Sequence, residues 1–181
     1  MPGKPARPLR VGVASERLRI QTERLLLRKP RRDDDLTEWV SDAGVQHWIG
    51  VDRDPVEVIE RWLRRWERNG VGQFIVELDG RFVGRVGFIV WDARTWETSA
   101  YDLAGEHAET ELGWAILSAH WGKGYATEAA LAARDWIECD RIISLIHPAN
   151  ARSQRVAEKL GAHIEQRVET PNGPADVWVH P

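Results

Sequence analysis

The chain has 181 residues, of which 43% are hydrophobic and 29% are charged, with a formal net charge of -3. This profile predicts one globular domain with a sizeable core and excludes a disordered chain. It also disfavours a direct nucleic-acid partner, which a basic face would mark. The single cysteine, Cys139, excludes an intramolecular disulfide and a cysteine-built metal site.

The N-terminal residues are rich in Pro, Gly, Lys and Arg and lack the apolar stretch of a secretion signal. No apolar run approaches the length that spans a membrane. We therefore expect a cytoplasmic protein with no membrane partner. Its predicted organisation is a flexible tail over residues 1–17 and one domain over residues 18–181.

The first half of the domain predicts a strand, two helices and a hairpin. The strands follow from alternating apolar residues, and the helices from acidic or proline starts and helical spacing. The expected elements are a strand over 18–28, a helix over 36–40, a helix from Pro55, and strands over 73–78 and 82–91. Asp79 and Gly80 form the hairpin turn.

The second half begins with a polar, irregular stretch over residues 92–107. The expected elements after it are a strand over 109–117, a helix over 126–138, a strand over 142–146, a helix over 151–160, and a hairpin of 164–168 with 175–179. Residues 109–146 form a β–α–β unit, whose two strands should be parallel. The fold class is therefore α/β (α+β), a mixed and mostly antiparallel sheet with flanking helices.

A glycine-rich segment, Trp121–Thr127, lies between a predicted strand and a predicted helix. Gly122 and Gly124 let the backbone approach a ligand, and the free N–H groups at the helix start suit a pyrophosphate. A plain connecting loop is the alternative. The segment is not a P-loop, because the Gly-Lys-Ser/Thr ending is missing, and it lacks the spacing of a dinucleotide fingerprint.

A second helix start follows the next predicted strand. Asn150 and Ser153 stand there, and Asn150 as a simple helix cap is one interpretation. The other interpretation places both residues beside a ligand, because both helices leave the carboxyl edge of the β–α–β unit.

These two segments resemble motifs of the GNAT superfamily of N-acetyltransferases. Residues 121–129 (WGKGYATEA) look like its glycine motif, and residues 150–161 (NARSQRVAEKLG) resemble the motif that follows. Residues 22–28 (TERLLLR) and 111–114 (ELGW) are similar to the RimJ/RimL-like branch. One departure is Trp121, which stands where the superfamily often has Arg or Gln.

The resemblance implies acetyl-CoA as the acetyl donor, no metal, and a sheet whose parallel pair of strands splays apart. The pantetheine arm would enter that gap, the pyrophosphate would lie on the glycine segment, and Trp121 would cover the cofactor or pack. The implied cofactor-binding residues are Trp114, Ala115, Ile116, Leu117, Trp121, Gly122, Lys123, Gly124, Tyr125, Ala126, Thr127, Asn150 and Ser153.

Acyl transfer to an amine needs a base, an oxyanion donor and a proton for the leaving thiolate. The resemblance makes Glu111 the first candidate base, with Glu109 and His107 as alternatives; a plain exposed strand charge is the other interpretation of Glu111. Ser153 is the candidate proton donor and Tyr125 a second one. The main-chain N–H near Ile116 is the oxyanion candidate.

The implied reaction is direct acetyl transfer to a primary amine, either a protein N-terminus or a small amine. Five acidic residues near the base predict either a ring that attracts a cationic amine or a solvated loop: Asp92, Glu97, Asp102, Glu106 and Glu109. The alternatives are an aminoglycoside-type resistance acetyltransferase, a non-catalytic acyl-CoA sensor and an interaction module. Ten tryptophans and the family habit favour a homodimer.

Overall fold

The structure is a computed structural model that describes residues 18–50 and 54–181. The predicted tail over residues 1–17 lies outside these residues. The strands are β1 (Arg19–Gln21), β2 (Leu25–Arg28), β3 (Gln73–Leu78), β4 (Arg81–Asp92), β5 (Glu97–Thr98), β6 (Ala108–Ile116), β7 (Ile142–Ile146), β8 (His163–Thr170) and β9 (Gly173–Val179). The α-helices are α1 (Thr37–Ser41), α2 (Ala43–Ile49), α3 (Pro55–Asn69), α4 (Tyr101–Ala104), α5 (Tyr125–Trp136) and α6 (Ala151–Lys159).

One mixed sheet organises the domain, with strand order β1-β2-β3-β4-β6-β7-β9-β8 and β5 beside β4. Every pairing is antiparallel except that of β6 with β7. This parallel pair holds only Thr110 opposite Ile142 and Glu111 opposite Ile143. Beyond these two positions the strands part, so the predicted mixed sheet with a splayed parallel pair is confirmed.

Helices cover both faces of the sheet, because apolar side chains alternate along the central strands. On one face α5 presents small buried residues, among them Ala129 and Ala133, to Phe88 of β4. On the other face α1 and α3 bury Trp39 and Trp62. Small side chains let α5 lie close to the sheet, which places its first turn beside the end of β6.

Three parts of the sequence-based prediction differ from the structure. The single strand expected over 18–28 is two strands, because the Thr22 hydroxyl bonds the Leu25 main chain and turns the chain back. Helix α2 was not predicted, since seven residues show little periodicity. The stretch 92–107, expected to be irregular, contains β5 and α4.

Asp42 fastens α2 to the segment that follows β6. Its Oδ1 accepts the Val45 N–H at 2.9 Å and caps the helix. Its Oδ2 accepts the N–H of Ser118 at 3.0 Å and the hydroxyl of Ser118 at 2.7 Å. Burial acts to raise the pKa of Asp42, but these hydrogen bonds outweigh burial and lower it.

Asp42→Ala is expected to lower the free energy of unfolding by about 1–2 kcal/mol at pH 7, because a helix cap and the link to Ser118 are lost. Urea denaturation measures the change. A carboxylate whose folded-state pKa is depressed stabilises above its unfolded pKa, so the difference from wild type should shrink as pH falls through the folded value. Asp33→Ala, at an exposed neighbour, should change little; equal losses in both variants would contradict this account.

Candidate active site

A cleft of about 720 Å³ opens where β6 and β7 part. Helix α2, the first turns of α5 and α6, and the β8–β9 hairpin complete its walls. Ligands of α/β sheets bind at such carboxyl ends of parallel strands. The sequence-predicted site residues that line it are Glu111, Trp114, Ala115, Ile116, Trp121, Gly122, Gly124, Tyr125, Ala126, Thr127, Asn150 and Ser153.

Two predicted cofactor-binding residues do not line the cleft. Leu117 is buried in the core, and its N–H donates to the Val83 carbonyl of β4 at 2.9 Å. The Lys123 side chain folds back, so that its Nζ donates to the Ala119 carbonyl at 3.1 Å. The Leu117 N–H and the Lys123 Nζ are thus engaged within the protein, and their contact with the cofactor stays a prediction.

The β6 main chain facing the gap is only partly open. In an antiparallel pair, every second residue turns its main-chain groups toward the partner strand. Because Leu117 bonds to β4, Ala115 also faces β4, and the N–H groups of Trp114 and Ile116 face the gap. The Ile116 carbonyl accepts from Trp121 Nε1 at 2.7 Å. The gap therefore offers both main-chain groups of Trp114 and the N–H of Ile116.

The glycine segment forms a row of main-chain donors. Gly122 and Gly124 have φ values of +76° and +84°, in the left-handed region that favours glycine. Within residues 18–50 and 54–181, the N–H groups of residues 122–127 have no hydrogen-bond partner, and Glu128 is the first to bond, to the Gly124 carbonyl at 3.0 Å. Such a row at a helix start fits a pyrophosphate.

The N-terminal hairpin holds this loop in place. Arg24 donates to the Lys123 carbonyl at 3.0 Å and pairs with Glu128 of α5 at 2.7 Å. The Arg24 guanidinium also lies 4.7 Å from the centre of the Tyr125 ring. The motif at residues 22–28 therefore contributes to the cleft by supporting the loop.

The start of α6 forms the facing wall. Asn150 Oδ1 accepts the Ser153 N–H at 3.1 Å, so Asn150 caps the helix and also lines the cleft. Trp121 is packed against its neighbours. The Arg152 guanidinium lies 4.4 Å from its ring centre, and the indole lies against Gly44, where a Cβ would collide with the ring. Trp121 thus joins α2, β6 and α6 as a fixed part of the wall.

Glu111 is buried, with 9% of its surface exposed, and it faces the cleft. Its Oε2 accepts the Trp91 Nε1–H at 2.6 Å, and the Leu145 N–H also donates to the carboxylate. Burial raises the pKa of Glu111, while the Trp91 bond and the charges of Arg85 and Arg65 oppose that rise. A plain exposed charge does not describe this residue.

The alternative bases Glu109 and His107, and the acidic residues of the stretch 92–109, lie away from the cleft. Glu109 pairs with Arg141 at 3.0 Å, and His107 lies beside Glu106 at 3.7 Å. Asp92 is paired with Arg94, and Asp102 with Arg68. None of the five acidic residues of this stretch lines the cleft. The five residues thus form no acidic ring at this cleft, and Asp92, Asp102 and Glu109 are ion-paired instead.

Several cleft residues were not predicted from the sequence. Arg85, Ile89 and Trp91 project from β4, and His47 and Trp48 from α2. Arg85 carried a signal, since it is a lone charge inside the apolar strand VGRVGFIVW. The α2 residues carried none, because the helix itself was not predicted.

The part of the chain that the structure describes lacks two features. It holds no group of three or more His, Cys, Asp or Glu side chains arranged to bind a metal ion. None of its helices combines the length and apolar character needed to cross a membrane.

The chain is similar to known acetyltransferases in sequence and in fold. Residues 24–163 match the acetyltransferase (GNAT) domain family. The uncharacterized N-acetyltransferase YnaD of Bacillus subtilis (strain 168) is 28% identical over 156 residues, covering 82% of this chain and 84% of the relative.

Two solved structures share the fold. An acetyltransferase from Agrobacterium tumefaciens str. C58 has a TM-score of 0.70 and 24% identity, covering 91% of this chain and 94% of that one. AAC(6')-Ib in complex with paromomycin and acetyl-CoA has a TM-score of 0.66 and 21% identity, covering 87% and 93%. The chain belongs to the GNAT acetyltransferase domain family and is an acyltransferase.

Proposed function

We propose that the protein is an acetyl-CoA-dependent N-acetyltransferase that transfers the acetyl group directly to a primary amine. The observation that carries the proposal is that the buried carboxylate of Glu111 faces the same cleft as the open main chain of β6 and the free N–H groups of residues 122–127. A candidate base and a candidate site for the acetyl donor therefore lie in the same cleft of a GNAT fold.

The residues present fit the donor that the family uses. The main-chain groups of Trp114 and the N–H of Ile116 are free to pair with the amides of a pantetheine arm. The N–H groups of residues 122–127, at the start of α5, suit its pyrophosphate. Arg152, Arg155 and Lys159 of α6 line the same cleft and add positive charge. When bound, acetyl-CoA supplies an acetyl group activated as a thioester.

The side chains of the cleft divide the proton transfers between them. Glu111 accepts a proton from the acceptor ammonium, which frees the nitrogen lone pair to form the C–N bond. As the C–S bond breaks, the Ser153 hydroxyl donates a proton toward the departing sulfur, and Tyr125 is the second candidate donor. The Ile116 N–H donates to the acetyl oxygen, where negative charge develops. The nitrogen gives its second proton to the Ser153 oxygen, which restores the hydroxyl. One ammonium proton thus ends on Glu111 and one replaces the serine proton taken by sulfur, with no metal or redox step.

The acceptor class includes the protein N-termini expected of the RimJ/RimL-like branch and small amines. An aminoglycoside is the alternative suggested by the shared fold of AAC(6')-Ib. Against it, Glu111 is the one carboxylate lining the cleft in the described residues, beside Arg85, Arg152, Arg155 and Lys159. A polycation would be repelled there, so an aminoglycoside is disfavoured.

A cytoplasmic homodimer is part of the proposal. The acetyl donor is an intracellular metabolite, and Cys139 is unpaired. Strand β8 lies at the edge of the sheet with most of its side chains exposed, including Ile164 at 52%. Exposed edge strands are templates for pairing with another chain. Light scattering after gel filtration would give the mass of the species, and a monomer at all concentrations would end this part of the proposal.

The test is acetyl transfer by the purified protein to a panel of peptides, aminoglycosides and small amines. Thiol release and mass spectrometry of the acceptors detect the reaction. The proposal predicts acetylated amine for at least one class. It also predicts that the double variant Glu111→Gln, Ser153→Ala binds acetyl-CoA but transfers nothing. Binding of acetyl-CoA by wild type, with no amine acetylated across the panel, would favour the sensor alternative.

A further inference from the structure

Arg85 is a buried cation that forms no hydrogen-bonded ion pair in the described part of the chain. It lies on β4 opposite Ala115 and lines the cleft, with 8% of its surface exposed. Its Nη1 is fully buried and makes no hydrogen bond in the described part of the chain. Burial lowers the pKa of Arg85, and Glu111 opposes that change.

Other positive charges surround this guanidinium. Burial and the charges of Arg85 and Arg61 together lower the pKa of Arg65 on α3 to about 10, against the opposing charge of Glu111. Arg85 and Arg65 therefore both act on the single carboxylate of Glu111. A buried guanidinium without a partner is costly, and native proteins rarely leave such groups unsatisfied. The local charge favours an incoming anion.

Arg85 and Glu111 reach over the same small residue. A Cβ placed on Gly113 would lie 2.8 Å from Arg85 Nη1 and 3.5 Å from Glu111 Oε1. The two side chains are thus neighbours in the cleft, although they form no ion pair with each other. The carboxylate of Glu111 and the guanidinium of Arg85 therefore face the same part of the cleft.

We propose that Arg85 binds a carboxylate of the acceptor, which is therefore a small amine carrying a carboxylate within a few bonds of its amino group, as a free amino acid does. Glu111 receives the ammonium, and Arg85 holds the carboxylate in a charge-assisted, bidentate contact. A peptide N-terminus lacks this carboxylate, because its α-carboxyl is an amide. The inference rests on the proposed N-acetyltransferase activity.

The test compares free amino acids with their own primary carboxamides as acceptors. Each pair keeps the amine and side chain and differs only in the carboxylate. The wild type is expected to prefer the acid by about 100-fold or more in kcat/KM, the size of effect that follows from leaving a buried charge unpaired. Equal use of acids and amides by the wild type would overturn the inference while leaving the N-acetyltransferase proposal intact.

Variants at Arg85 test whether this residue causes the preference for amino acids over their carboxamides. Arg85→Gln is expected to reduce it to within about tenfold, mainly through KM for the acid, and Arg85→Lys to retain part of it. Arg81→Gln, at an exposed arginine of the same strand, should keep the wild-type preference. A preference that survives Arg85→Gln would contradict the role of Arg85.

A measurement without turnover separates the two proposals. In thermal unfolding without acetyl-CoA, amino acids that are substrates should raise the Tm of the wild type and of Arg81→Gln, but not of Arg85→Gln. Arg85→Gln itself should unfold at or above the wild-type Tm, because an unpaired buried charge is removed. A Tm shift with acids but no acetylation would sink the proposed activity alone. No shift with any amino acid would sink the carboxylate site.

Discussion

Glu111→Gln is expected to lower kcat by about 10²- to 10⁴-fold while leaving acetyl-CoA affinity unchanged. The glutamine keeps the size of the side chain in its contact with Trp91 but cannot accept the ammonium proton. We expect acetyl-CoA affinity to depend instead on the main chain of β6 and of residues 122–127, whose groups are open to the cleft. Steady-state kinetics and calorimetry measure the two quantities on the same preparations.

The matched control is Glu109→Gln, two residues earlier on the same strand. Glu109 pairs with Arg141 and lies away from the cleft, so its replacement should leave kcat near the wild-type value. Loss of activity in Glu109→Gln but not in Glu111→Gln would reassign the base. The wild-type kcat/KM should rise with pH through the raised pKa of Glu111, and Glu111→Gln should lack that limb.

The raised pKa of Glu111 also predicts how the stability of Glu111→Gln differs from that of the wild type as pH changes. Because burial raises the pKa of Glu111, the folded protein holds this proton more tightly than the unfolded chain does. The Glu111 contribution to the free energy of unfolding therefore falls as pH rises from the unfolded toward the folded pKa. Relative to wild type, Glu111→Gln should gain stability over that interval. Parallel pH dependences in urea denaturation would contradict this sign.

Gly124→Glu is expected to weaken acetyl-CoA binding by about 100-fold or more. The residue has φ of +84°, which a glutamate adopts only with strain, and a Cβ there would lie 3.3 Å from Arg24 Nη2. The new carboxylate would also stand where the pyrophosphate is expected, and like charges repel strongly at short range. Trp114 and Trp121 line the cleft, so tryptophan fluorescence and calorimetry both report the loss.

The control for Gly124→Glu is Gly80→Glu in the β3–β4 turn. Gly80 has a similar φ of +74° and open space round a Cβ, but it lies outside the cleft. It therefore reproduces the backbone strain and the added charge without the proposed phosphate contact. Equal acetyl-CoA affinities in the two variants would show that the glycine segment does not hold the pyrophosphate.

Local patterns predicted most of the fold. β3 and β7 have the predicted bounds, since apolar runs bounded by turns define strands well. The parallel β6–β7 pair followed from a helix between two strands, because a helical crossover returns the chain to the end of the sheet where the first strand began. Helix α2 was missed because its signals are the two ends, the Asp42 cap and the left-handed Gly50, rather than an apolar stripe.

The donor side of the cleft was more predictable than the acceptor side. Gly122, Gly124, Asn150 and Ser153 lie in contiguous motifs, whose backbone geometry follows from local sequence. Arg85 meets Glu111 only after β4 pairs with β6, and no local pattern encodes that pairing. Charge composition could not decide between the two interpretations of the acidic stretch, because it does not show which carboxylates are already paired, as Asp92 and Asp102 are.

The central claim is that acetyl-CoA lies in the gap of the sheet and on the glycine segment. Amide hydrogen exchange with and without acetyl-CoA tests it most directly, because the N–H groups of residues 122–127 have no partner within the described chain and should exchange rapidly alone. The account predicts that acetyl-CoA slows exchange at residues 122–127 and at Trp114 and Ile116. Unchanged exchange there, with saturating acetyl-CoA bound or with protection elsewhere, would contradict it.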